Sequence, residues 1–336
     1  MTVSDANWAG GRMRQIALGI GQRAILVIGL GALLVSVSEF WFYEVAAEVD
    51  RIVILLAYGL LGYFFMAVMH RFHVHSFAGL VIAAALLGIL IEGVPVAVVY
   101  SNPPFSIVWT SLAWHALITV GVGWLLVRFL LAQDQAWRAG ALCSGLGILL
   151  GAWNAFMWNA QDIEGTDAFV FIWQPTQVFA VQFLYGYALF VGGHVVLDRL
   201  YPKKLVPTRI EHLSIWILAG AIAVLVAYDA GLLALFPILP GLLLVCLSAL
   251  RRDGQTHGRS TGTIIDVLYK TRVQTSRFAL TLAIPAFAIP TYAVLVAMEA
   301  EIEMNAYLIL TAGPASVAAV LWSFLRIAMR SKGAAC

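Results

Sequence analysis

Charge is what this sequence has least of. Only 11% of its 336 residues are Asp, Glu, Lys or Arg, while 62% are hydrophobic and the mean hydropathy is +0.90. Soluble domains carry about a quarter charged residues, so a soluble globular protein is excluded. The longest polar stretch, about 251–277, is too short to bury a core of its own, which excludes an appended soluble catalytic domain. Cysteine is scarce as well. Cys143, Cys246 and Cys336 are odd in number and far apart, so they form neither a disulfide framework nor a metal-spaced cluster; they read as small buried apolar residues. The formal charge of +2 is spread over loops rather than gathered on one face, which argues against a nucleic-acid partner. Finally, no repeat relates the first half of the chain to the second, and many secondary transporters carry one.

What the chain does have is apolar runs long enough to cross ~30 Å of hydrocarbon. Ten are read, at approximately 24–47, 51–69, 76–100, 107–131, 138–160, 175–197, 213–230, 232–250, 278–298 and 305–328. The first follows Arg12, Arg14 and Arg23, but it is too long for a signal-peptide h-region of ~7–15 residues. With the N-terminus inside, nineteen of the twenty cations fall in inner segments and only Arg51 falls outside. Cytoplasmic loops carry such an excess of Lys and Arg. The expected fold is therefore all-α: a polytopic membrane protein of about ten helices with both termini cytoplasmic, in a prokaryotic cytoplasmic membrane. Residues 1–23 form an inner segment. Residues 24–200 form a six-helix region with most of the intramembrane polar groups, and 201–336 a plainer four-helix region. Its basic loop 251–277, with Ile264, Ile265, Val267 and Leu268, is expected to lie against the anionic inner surface of the bilayer.

One stretch runs against this apolar background. In "AALLGILIEGVPVAVVY" (84–100) the carboxylate of Glu92 sits among apolar residues, just before Gly93 and Pro95. A charge at bilayer depth costs about 2.5–3.5 kcal/mol on insertion scales and is a functional hypothesis by default. At ~1.5 Å of rise per residue, Glu92 and His115 each lie ~12 Å below the outer boundary, Asn154 and Gln182 ~11 Å and Glu39 about 14 Å. Glu44 is one turn nearer the surface. Five helices thus place a polar side chain in one layer, expected to enclose a cavity that opens outward. Glycine allows close helix approach, and a proline frees the carbonyl four residues upstream. "HRFHVHS" (70–76) lies at the inner end and reads as an interface anchor rather than a metal motif. His194, deep in the sixth span, reads as a packing or hydrogen-bonding residue.

Paired carboxylates in different surroundings are the apparatus of glycoside hydrolysis, one acting as acid and the other as base or nucleophile. In that reading Glu92 is the proton donor and Glu39 or Glu44 the nucleophile or base. His115, Asn154 and Gln182 hold hydroxyls or the attacking water. Trp41, Tyr43, Trp109, Trp114 and Trp158 cluster towards the outer ends of the early spans, and no tryptophan stands at the outer ends of the last four, so they are assigned to stacking against a sugar. The expected protein is a membrane-embedded hydrolase of the glycosidase type. It needs no cofactor and acts on a sugar or lipid-linked substrate at the outer leaflet. Three alternatives use the same residues: a metal enzyme with Glu92, His115 and Glu39 as ligands, an isoprenoid-modifying acid catalyst, and a proton-coupled transporter. Transport needs a route that continues inward, and the inner halves of the first six spans look nearly bare of polar groups. A scaffold without chemistry predicts that Glu92→Gln changes nothing.

Overall fold

The computed structural model describes residues 3–42, 48–162, 169–201, 208–256 and 262–333. It is all-α. The first helix, α1 (Val3–Val35), runs directly into a π turn, Ser36–Phe40. It is followed by α2 (Glu48–Arg71), α3 (Phe77–Gly93) and the single turn α4 (Val98–Ser101). A long π-helix, Ile107–Leu126, continues as α5 (Val127–Ala132). Then come α6 (Ala136–Met157), two short strands β1 (Ala160–Asp162) and β2 (Phe169–Phe171), α7 (Thr176–Leu200), α8 (Arg209–Asp229) and α9 (Ile238–Thr256). The chain ends with α10 (Ile264–Leu268), a 3₁₀ segment Thr275–Leu282 leading into α11 (Ala283–Ala297), and α12 (Met304–Gly333). Among the described residues nine helices are long and apolar enough to cross a membrane, as an integral membrane protein requires.

The remaining expected span is shorter than the sequence implied. Instead of continuing to residue 100, α3 stops at Gly93 after seventeen residues. Pro95 has no N–H to continue the ladder, and the chain turns before α4. The Gly93 carbonyl left at the helix end accepts from the Tyr100 hydroxyl at 3.2 Å. Glu92 is therefore in the last turn of α3, not in mid-helix.

Helix α1 packs against α2 and α7, the π-helix lies between α3 and α12, and α6 lies along α11. Small residues set the closest approaches, as expected where hydrocarbon gives helices no reason to associate. A Cβ on Gly31 would sit 2.1 Å from the Leu55 carbonyl oxygen, so α1 and α2 meet backbone to backbone.

The end of the bundle that gathers the basic segments is tied into the core. A surface-lying loop was expected there, but Ile265, Tyr269 and Val273 are buried, while Val267 is exposed. A capping box at Thr263 and Asp266 starts α10, and the Ile264 N–H donates to the Val74 carbonyl at 2.8 Å. The main tie is an ion pair. Arg128 Nη2 donates to Asp198 Oδ1 at 2.6 Å and to the Thr271 carbonyl at 2.7 Å, and the Val273 N–H donates to the same Asp198 oxygen at 3.2 Å. The two side chains are 0% and 1% exposed. Tyr269 lies under the guanidinium at 4.7 Å and accepts from Trp124 Nε1 at 2.8 Å. Burial pushes the Tyr269 hydroxyl above the usual phenol range, so it stays a neutral partner. The halves of the early spans towards the basic end are thus not bare: Arg128, Asp198 and His194 are all buried there.

Removing one partner of such a pair strands the other charge without water, at about 3–5 kcal/mol. Asp198→Ala is expected to lower the midpoint of thermal unfolding in detergent sharply. An unchanged midpoint contradicts the tie.

Candidate functional site

Of the expected polar layer, the structure brings Glu39, Glu92 and His115 together. His115 Nε2 meets Glu92 Oε1 at 2.5 Å, across from the π-helix to α3. Gly88 makes this meeting possible. It lies one turn below Glu92, and a Cβ there would sit 2.0 Å from the Ser111 carbonyl oxygen and 3.3 Å from His115 Cβ. On its other side His115 Nδ1 is 3.2 Å from Ser38 Oγ, and Ser38 Oγ is 2.9 Å from Thr119 Oγ1. The Tyr58 hydroxyl donates to Glu39. Glu39 is within electrostatic reach of both His115 and Glu92. One hydrogen-bonded chain therefore runs Glu92, His115, Ser38, Thr119, and the Tyr58–Glu39 pair stands beside it, the Tyr58 ring 6.0 Å from that of His115. Ser38, Tyr58, Glu92, His115 and Thr119 are buried, whereas Glu39 keeps partial exposure.

Two π segments carry four of these six groups: Ser38 and Glu39 in the turn, His115 and Thr119 in the long helix. Such segments are rare and frequently mark functional sites. The wide turn has a geometric consequence. At 3.6 residues per turn, the nine residues from His115 to Trp124 make two and a half turns and place them on opposite faces. An i→i+5 ladder takes roughly four to five residues per turn, so Thr119, Trp124 and Arg128 follow His115 down nearly one line. The π geometry sets the carboxylate network and the ion pair at the basic end on one side of this helix. It is pinned by Trp114, whose Nε1 donates to the Ser38 carbonyl at 3.1 Å while its own carbonyl accepts from Thr119 at 3.0 Å.

The other expected site residues go elsewhere. Asn154 Nδ2 turns back to the Leu150 carbonyl of its own helix at 2.8 Å. Gln182 Nε2 donates to the Phe40 carbonyl at 3.3 Å, closing the π turn. Trp109, Trp114 and Trp153 pack on one another and, with Phe42, form an aromatic cluster. Trp41 stacks on Phe183 and touches Phe190, and Trp158 packs on Phe179. These rings are engaged with other rings. Tyr43 and Glu44 lie outside the described residues. No group of three or more His, Cys, Asp or Glu among the described residues is arranged to hold a metal ion. His70 pairs with the Tyr201 hydroxyl at 3.3 Å, and His194 with the Gly123 carbonyl at 3.1 Å.

The sequence reading missed Ser38, Tyr58 and Thr119. Tyr58 lies ten residues from Glu48, ~15 Å deep, so the same depth arithmetic applied to hydroxyls places it in the layer.

The chemistry of the chain follows from its donors and acceptors. Ser38 has one proton to give and two neighbours able to take it. With neutral His115 protonated on Nε2, Nδ1 accepts from Ser38. With imidazolium, Nδ1 donates to Ser38, whose proton turns to Thr119. A change of charge at Glu92–His115 is thus relayed as a rotation of one hydroxyl. Ser38, His115 and Glu92 share the residue types of a nucleophile triad. However, Ser38 is 0% exposed and sits in the middle of the chain, between His115 and Thr119. Glycoside hydrolysis needs two carboxyls flanking a space of about 5–9.5 Å that admits a sugar. Here each carboxyl is closed by a bonded neighbour, Glu92 by His115 and Glu39 by Tyr58. No family model, curated protein or solved structure matches the chain.

Gly88→Ala is expected to force α3 off the π-helix and cost about 1–3 kcal/mol. Gly140→Ala, where a Cβ meets nothing within 4 Å, should be neutral or stabilising by up to about 1 kcal/mol. Thermal unfolding of the two variants in detergent checks the contrast.

Proposed function

We propose that this protein conducts protons through its membrane region. The observation that carries this reading is the hydrogen-bonded chain from Glu92 through His115 and Ser38 to Thr119, with the Tyr58–Glu39 pair against the His115 ring. Chains of acids and histidine inside a membrane are the material of proton relays in pumps and transporters. In this reading the basic end faces the cytoplasm, following the distribution of Lys and Arg. Glu39, the partly exposed member, exchanges protons with the outer side. Glu92 and His115 share a proton in the dry interior. The buried polar groups at His194, Arg128 and Asp198 supply the inward continuation that transport requires.

A second reading has one observation of its own. An apolar groove of about 400 Å³ runs between the π-helix and α12, walled by Phe105, Trp109, Pro314 and Leu321 among others. Trp109 packs on Trp114, so a lipid or isoprenoid chain in the groove reaches the edge of the network, where Glu92 could act as acid. The glycosidase reading draws no comparable support, because each acid is bonded to a buried neighbour, Glu92 to His115 and Glu39 to Tyr58.

Proteoliposomes containing a pH-sensitive dye and clamped at a potassium diffusion potential test the main reading. Wild-type protein should admit protons. Glu92→Gln and His115→Phe should each slow entry at least about tenfold, because a one-unit mismatch in proton affinity already corresponds to ~1.4 kcal/mol. The exposed Thr311→Val should behave as wild type. Entry no faster than in empty liposomes overturns the proposal.

A further inference from the structure

We infer that His194, Arg128 and Asp198 enclose bound water, and that this water forms the inner leg of the proton route; the second clause rests on the reading above, the first does not. Four buried polar atoms at this place have no partner: His194 Nδ1, Arg128 Nε, Arg128 Nη1 and Asp198 Oδ2. They are neighbours. His194 and Asp198 are four residues apart and share one face of α7. Arg128 is bonded to the other oxygen of Asp198 and is within electrostatic reach of His194. His194 also holds the carbonyl of Gly123, five residues before Arg128 on the same continuous helix. All three side chains are 0–1% exposed.

Buried polar atoms nearly always find a partner, and one left without it calls for an explanation such as water or an ion. Here the donors and acceptors decide which. The bond from His194 Nε2 to a carbonyl fixes its proton there, so Nδ1 presents a bare lone pair. Asp198 Oδ2 is also an acceptor, whereas Arg128 Nε and Nη1 are donors only. An anion would face two acceptors, and a cation would face the guanidinium. Water accepts from Arg128 and donates to His194 and Asp198, the two to four contacts that buried waters make. The charges of Arg128 and Asp198 cancel, as suits a neutral guest.

The position gives this water a task. Thr119 ends the chain that starts at Glu92, and Gly123 is one turn further along the π-helix. Between them the route lacks only a mobile donor and acceptor. A proton reaching Thr119 can pass by water to the His194–Asp198 face, next to the segment Thr271–Val273 at the basic end.

Hydroxyl-radical footprinting of the full chain in phosphatidylcholine nanodiscs tests the site directly. Radiolysis produces radicals wherever water resides, so a buried residue beside water is oxidised and one in a dry core is not. Phe65 and Phe179, each 0% exposed, serve as dry references, with every rate normalised to the denatured chain. His194 is expected to be oxidised at least tenfold faster than both. A rate equal to theirs overturns the inference. Proton entry into proteoliposomes is then compared for wild type and His194→Phe. Oxidised His194 with no wild-type proton entry keeps the water site and removes the route. Entry with unoxidised His194 keeps the transport reading and removes the water. Oxidised His194 with entry that survives His194→Phe overturns its place on the route.

Discussion

The structure depends on a carboxylate at bilayer depth finding one strong partner. Left against lipid, Glu92 would cost several kcal/mol. Bonded to His115 across two helices, it becomes the fixed point around which the half of the bundle away from the basic end is arranged. Gly88 exists on those terms, since any larger residue keeps the two helices too far apart. The π turn at Ser36–Phe40 serves the same bond from behind by presenting Ser38 to the far nitrogen of the imidazole. Remove the pair and the close approach, the widened helix and the row of hydroxyls lose their reason together.

The second polar centre differs in kind. Arg128 and Asp198 form a fully buried ion pair, which is weak evidence of stability because desolvation offsets much of the attraction. Its consequence is architectural: it draws Thr271 and Val273 onto the ends of α5 and α7 and so closes the basic end. Both centres sit on one continuous helix, Ile107–Ala132. A helix wound as π over most of its length has a different rise and twist from an α-helix, and a local return to α would rotate Trp124 and Arg128 away from the line of His115.

Much of this was legible in the sequence, unevenly. Hydropathy marked every long helix, because apolar length is all that a span requires. Depth arithmetic placed Glu39, Glu92 and His115 together, since a carboxylate in an apolar run is rare enough to stand out. The hydroxyls of Ser38, Tyr58 and Thr119 were not noticed, because such residues occur in most spans and only side-chain direction selects the ones that matter. Direction also decided against Asn154, which lies at the expected depth but faces its own backbone. The π winding left no mark, since a uniformly apolar helix has no polar stripe whose period can be read. Arg128 was counted with the loop cations. Its partner Asp198 is seventy residues away in sequence, and nothing local pairs them.

The central claim is that His115 bonds Glu92 through Nε2 and Ser38 through Nδ1. Solid-state NMR of the protein in bilayers, with ¹⁵N in the histidine rings, reads the two nitrogens separately. The account predicts that Glu92→Gln moves chiefly the Nε2 resonance of His115 and Ser38→Ala chiefly the Nδ1 resonance. If neither substitution moves either resonance, the two residues are not its partners and the account fails.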